Sequence, residues 1–118
     1  MNILVVDDDQ SLCAQLSRFL EKHGQHVYSA ADALQGMNIL ERETIHLLIT
    51  DIHMPHMDGV RFTEVVKADP RFTRLPVVLM SSHLTEELAD QGLRKGAALI
   101  LPKPIDFQRL LNLVRFAE

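Results

Sequence analysis

Short apolar blocks recur along the chain: NILVV (residues 2 to 6), HVYSA (26 to 30), HLLIT (46 to 50), PVVLMSS (76 to 82) and ALIL (98 to 101). Each is strand-sized. Between them the period changes. Leu12, Leu16, Phe19 and Leu20 fall at i, i+4, i+7 and i+8 and stop at Gly24, which predicts a helix with one apolar face. Leu34, Met37 and Leu40 suggest a second helix, and Phe62, Val65 and Val66 a third, closed by Pro70. Leu84 and Leu88 stand one turn apart in a fourth, which Gly92 is expected to weaken and Gly96 to end; Phe107, Leu110, Leu111 and Val114 mark a fifth. Strands alternating with helices imply repeated βαβ units and a parallel sheet covered on both faces, which suits unbroken apolar strands. A chain of 118 residues that is 47% hydrophobic supplies one core and hardly two, so a single α/β domain over residues 1 to 118 is expected. There is no internal repeat, linker or low-complexity segment.

In an open parallel sheet, ligands lie beyond the carboxyl ends of the strands. Here those ends carry residues that a core would reject: Asp7, Asp8 and Asp9 after the first block, Asp51 after the third, Ser81 and Ser82 closing the fourth, and Lys103 after the fifth. Parallel strands bring them to one edge although they are far apart in sequence. Carboxylates gathered there repel one another by roughly 4 kcal/mol per pair about 4 Å apart at an effective dielectric near 20, so the cluster asks for a cation. Hard oxygen donors without a full cage suit Mg²⁺, which keeps several waters. One acid of the run also suits the N-cap of the next helix, Asp9 being well placed, but three caps for one helix are too many. Lys103, stiffened between Pro102 and Pro104, reads either as a solvated lysine at a strand exit or as a partner for Asp51. Ser81 reads either as a turn residue or as a hydroxyl donor to the site. His53, His56 and Asp58 do not make a convincing zinc site: Pro55 interrupts their spacing and no second His or Cys cluster completes four ligands. His83 is expected at the rim of the site as a loop residue.

Charge and cysteine usage narrow the partners. Twelve Lys and Arg against sixteen Asp and Glu give a net charge of -4 with no basic run, a poor match to the phosphates of nucleic acid. The single Cys13 excludes an internal disulfide and reads as a small buried apolar residue in a reducing compartment. No stretch has the length of a transmembrane helix, and the apolar start is too short for a signal peptide, so a soluble cytoplasmic domain is expected.

The motifs ILVVDDD (3 to 9), DIHMPHMDG (51 to 59), PVVLMSS (76 to 82) and LPKPI (101 to 105) stand in the order and spacing of one family. Over essentially its whole length the chain resembles the receiver domain of bacterial two-component response regulators. The resemblance implies a flavodoxin-like fold, a five-stranded parallel sheet in the order 2-1-3-4-5. It implies that Asp51 accepts a phosphoryl group from a histidine of a kinase or phosphotransfer protein. It implies Mg²⁺ held by the side chains of Asp8 and Asp51 and the backbone carbonyl of His53, with Asp7 acting through water. Ser81 would hydrogen-bond the phosphoryl group, Lys103 would pair with it, and the Lys103-Pro104 bond would be cis. Output would pass through altered protein-protein interaction, including a homodimer through the fourth and fifth helices. Pro55 would restrict the loop after Asp51, Gly59 would permit the turn into the next helix, and Met54 and Met57 would pack under the loop.

The chain departs from the family at three positions. Ile100 stands where Tyr or Phe is common, so the aromatic half of the usual coupling between site and output surface is missing. Ser82 replaces the usual Ala but is still small, and Leu99 makes the surface near the fourth and fifth helices more apolar. Two other readings compete. VVDDDQSL also resembles the start of haloacid dehalogenase-like phosphatases, with Asp7 as nucleophile and Asp9 as acid/base. That class needs a late acidic pair, yet only Asp106 follows Lys103 before the final helix, and Asp51 would have no role. A receiver-like module that binds partners without phosphorylation is the other alternative, against which the intact acid site argues.

Overall fold

A computed structural model describes all residues from Met1 to Glu118. Strands β1 (Asn2–Val6), β2 (His26–Ala30), β3 (Leu47–Asp51), β4 (Val77–Ser81) and β5 (Leu99–Pro102) alternate with helices α1 (Gln10–Lys22), α2 (Ala33–Arg42), α3 (Gly59–Ala68), α4 (Glu86–Arg94) and α5 (Phe107–Ala117). A short 3-10 turn, Pro70–Phe72, follows α3. The strands are parallel in the order β2-β1-β3-β4-β5, the flavodoxin-like arrangement. The chain leaves β1 for one edge and then crosses back to β3, so the switch point lies between β1 and β3. Val6 pairs with Thr50 there, which sets Asp7 and Asp51, the next residue on each strand, side by side.

Alternation along each strand sends side chains to opposite faces. Leu4, Val6, Leu48 and Leu79 join the apolar layer containing Phe62 and Val66 of α3. Ile3, Val5, Ile49 and Met80 join Cys13, Leu16 and Leu20 of α1 and Leu110 and Val114 of α5. Each α-helix starts at a side-chain cap: Asp9, Asp32, Asp58, Thr85 and Asp106 accept from backbone N–H groups in their first turns. Such a cap typically stabilises by about 1 kcal/mol relative to alanine.

Two helices meet the sheet through residues that their apolar spacing does not mark. In α2, Leu34 is 73% exposed and Met37 half-buried, while Ala33, Gly36, Ile39 and Leu40 face the sheet. Gly36 explains this face: a Cβ there would lie 3.1 Å from both Phe62 Cζ and Val6 Cγ2, so the helix approaches the sheet through its smallest residue. In α4, Gly92 does not weaken the helix but seats it. It is the only buried residue of α4, and its Cβ would lie 2.8 Å from Ile100 Cδ1 and from Leu79 Cδ1. Leu84 precedes the helix, and Leu88 and Ala89 pack beside Gly92 against the core.

Candidate functional site

The carboxyl ends of β1 and β3 converge on three acids. Asp7 has no exposure and Asp51 only 4%, whereas Asp8 is open to solvent. One oxygen from each lies within 4.8 Å of the others. Opposite them, Lys103 Nζ donates to Asp7 Oδ2 at 2.8 Å and lies 3.4 Å from Asp51 Oδ1. Sequence reasoning paired Lys103 with Asp51; the tighter bond is to Asp7. The Asp51 contact is an ion pair without hydrogen-bond geometry, which leaves Asp51 Oδ1 a buried acceptor with no hydrogen-bond partner.

The electrostatics follow from this layout. Burial pushes the Asp51 carboxyl above its ordinary range, the Asp7 charge adds to the push, and Lys103 opposes without cancelling it. Burial pulls the Lys103 ammonium down, but the Asp7 hydrogen bond and the Asp51 and Asp7 charges together outweigh it and raise the group. Beneath the acids, the buried Cys13 Sγ donates to the Asp7 carbonyl at 3.4 Å. Burial, then the charges of Asp7 and Asp9, push its thiol up to about 11, which keeps it from acting as a thiolate.

The loop between β3 and α3 fixes how Asp51 is presented. Gly59 N–H donates to the Ile52 carbonyl at 2.8 Å, and a Cβ on Gly59 would fall 2.2 Å from the Asp51 carbonyl oxygen. Gly59 is therefore required by close backbone approach. The left-handed residue of this loop is His56, at φ 70°, so the turn assigned to Gly59 from the sequence is made elsewhere. Met54 and Met57 pack against the core as expected, and the Lys103-Pro104 bond is cis. Asp9 and Asp58 are engaged as caps of α1 and α3, which removes Asp58 from any zinc site with His53 and His56. A groove of about 430 Å³ between α2 and this loop holds none of Asp7, Asp8, Asp51, Ser81 or Lys103; the chemistry lies with the charged cluster.

Ser81, 1% exposed at the end of β4, reveals a contact that sequence reasoning missed. Its Oγ accepts from the His83 N–H at 3.1 Å and lies 3.0 Å from His53 Nε2. The His53 and His83 rings meet edge to face with centroids 5.7 Å apart. Sequence reasoning used His53 for its backbone carbonyl and placed His83 at the rim; a side-chain bond across 28 residues leaves no local signal.

The donor set fits a hard divalent cation. It consists of carboxylate oxygens, one of them buried without a partner, with Asp8 open to solvent so that water can complete the coordination. An open parallel sheet carrying three acids, a hydroxyl and an ammonium at its switch point defines a receiver-type signalling module. A family model described as response regulator receiver domain matches residues 3–115. The chain is 37% identical to an uncharacterised 14.6 kDa protein of Leptolyngbya boryana, over 98% of this chain and 88% of that one. It is 35% identical to the response regulator protein FleR of Pseudomonas aeruginosa, over 95% of this chain but 23% of FleR. Among solved structures, the chemotaxis protein CheY4 of Vibrio cholerae superposes with a TM-score of 0.93 at 26% identity, covering 99% of this chain and 98% of that one. The chain belongs to the response regulator receiver domain family. It is a phosphoaccepting module of two-component signalling rather than an enzyme, of a family that interacts with histidine kinases. No helix is long and apolar enough to cross a membrane.

Proposed function

We propose that residues 1 to 118 form one receiver domain that takes a phosphoryl group onto Asp51 from a phosphohistidine of a kinase or phosphotransfer protein in the cytoplasm. The observation that carries this reading is Asp51 Oδ1, a buried carboxylate oxygen without a hydrogen bond, 3.4 Å from an ammonium and among three acids. A carboxylate oxygen of Asp51 attacks phosphorus and forms the O–P bond while the N–P bond of the donor breaks. The imidazole nitrogen leaves with the electron pair and the phosphoryl oxygens keep their charge.

Asp8, Asp51 and the His53 carbonyl would hold Mg²⁺, with Asp7 acting through water. Bound there, the ion would supply positive charge against the phosphoryl oxygens. Lys103 would pair with the same oxygens and Ser81 would donate to one of them, a reading supported by the Lys103 ion pairs with Asp7 and Asp51. Output follows through altered protein-protein contacts. A homodimer through α4 and α5 is supported by Leu93 of α4, an apolar side chain 51% exposed. Sedimentation of the phosphorylated form as a monomer would remove that part.

The central test is incubation with acetyl phosphate and Mg²⁺ followed by intact mass measurement. One added phosphoryl group, absent without Mg²⁺ and absent in Asp51→Asn, is the expected result. No adduct from acetyl phosphate or from candidate kinases would leave a module that binds partners without phosphorylation.

A further inference from the structure

On the reading of Ser81 as the hydroxyl that meets the phosphoryl group, we infer that the His53 imidazole is a positioning residue: it holds the Ser81 hydroxyl at rest and passes its release to the β4–α4 loop through His83. Ser81 Oγ is buried and accepts from the His83 N–H. Its one remaining hydrogen-bond partner is His53 Nε2. The arrangement that leaves no buried donor unspent therefore has the Ser81 O–H donating to that nitrogen.

A hydroxyl has one proton. It cannot serve His53 and a phosphoryl oxygen on Asp51 at the same time. The phosphoryl oxygens are anionic and make the stronger, charge-assisted bond, so their arrival draws the Ser81 O–H away from the imidazole. The exposed His53 ring then loses its tether.

Two links carry that event outward. The His83 ring rests edge to face on His53, and the His83 N–H is bound to the same Oγ. Two residues on, Thr85 caps α4 by accepting from the Leu88 N–H, and Gly92 is the one fully buried residue of that helix. A shift of residue 83 thus reaches the start of α4. The inner route is filled differently: Ile100 is buried against Gly92 and has no polar tip to exchange between site and surface. The two imidazoles supply an outer route where the aromatic at position 100 is missing.

Beryllofluoride, which occupies a carboxylate as a phosphoryl group does, is titrated at saturating Mg²⁺ into ¹⁵N-labelled wild type, His53→Phe and Asp51→Asn. Phenylalanine keeps a ring against His83 and the backbone carbonyl at position 53 but cannot accept the hydrogen bond. In wild type, saturation is expected to shift the His53 ring nitrogen signals and the amides of residues 83 to 85. In His53→Phe, affinity rises about fivefold, the worth of one neutral hydrogen bond no longer opposing capture, and those amides start displaced toward their bound positions. A gain in affinity cannot arise from poor folding. Equal or weaker binding by His53→Phe, or an unchanged loop response, overturns the latch while leaving Asp51 as acceptor. Failure of wild type to bind beryllofluoride overturns the reading of Asp51 itself, and the latch with it.

Discussion

Replacing Asp51 by Asn is expected to stabilise the metal-free protein at neutral pH. The carboxylate is 4% exposed and its Oδ1 has no hydrogen bond. Its repulsion from another acid within 4.8 Å is at least about 3.5 kcal/mol at an effective dielectric near 20, and its attraction to Lys103 at 3.4 Å is about 5 kcal/mol on the same scale. With Asp7 and the better screened Asp8 both opposing it, the charge interactions nearly cancel. What remains is the cost of a buried anion oxygen left unbonded, about 2 kcal/mol. For a chain of this size that corresponds to a rise in Tm of about 8 °C. The pH dependence has a definite sign. Because burial and Asp7 raise the folded-state pKa of Asp51, the folded protein holds this proton more firmly than the unfolded chain does. The wild-type handicap is therefore full above the folded value and disappears as pH falls below the ordinary carboxylate range. Thermal unfolding followed by circular dichroism in EDTA, across pH, reads both effects. Adding Mg²⁺ should raise the Tm of wild type more than that of the variant. A variant no more stable than wild type at neutral pH, or an advantage that widens in acid, would refute the argument.

The other predictions bear on how the acid is held. Gly59→Ala places a Cβ 2.2 Å from the Asp51 carbonyl oxygen and 2.8 Å from Ile52 Cα, so backbone must move by about 1 Å; a loss of about 3 kcal/mol in urea unfolding is expected. Acetyl phosphate labelling should slow by about a hundredfold in the same variant, since displacement of this size spoils in-line geometry; labelling at the wild-type rate would show that the contact does not position Asp51. Lys103→Met leaves two buried carboxylates without their cation and should cost about 3 kcal/mol at neutral pH, with stability recovered on acidification as the acids take up protons. Wild type keeps the Lys103 contribution below the ordinary lysine pKa and loses it as pH rises through the higher folded value, so denaturant melts at alkaline pH should converge on those of the variant.

The site was legible in the sequence wherever a polar residue closed an apolar strand. Asp7, Asp51, Ser81 and Lys103 stand at positions where burial without a partner is unfavourable, and one physical rule about parallel sheets gathers them. Strand order came from resemblance, because alternation of elements constrains topology without fixing it. The helices show where such reading stops. A side-chain pattern gives weight to Leu34, passes over Gly36 and reads Gly92 as a weakness, yet at these two glycines α2 and α4 approach the sheet most closely. Gly59 was assigned a flexible turn for the same reason, although its role is to let the start of α3 touch the end of β3. A glycine that admits a neighbouring backbone leaves no mark in the periodicity of its own segment; the mark is on Phe62, Val6, Ile100 and Asp51, whose contacts only the fold defines. His53 follows the same logic with the opposite chemistry. The family resemblance gives its backbone carbonyl an expected role and says nothing of its imidazole, which contacts Ser81, a residue on another strand. That bond exists because β3 and β4 pair in register, with Asp51 opposite Met80, so the loop leaving β3 overhangs the residue that ends β4.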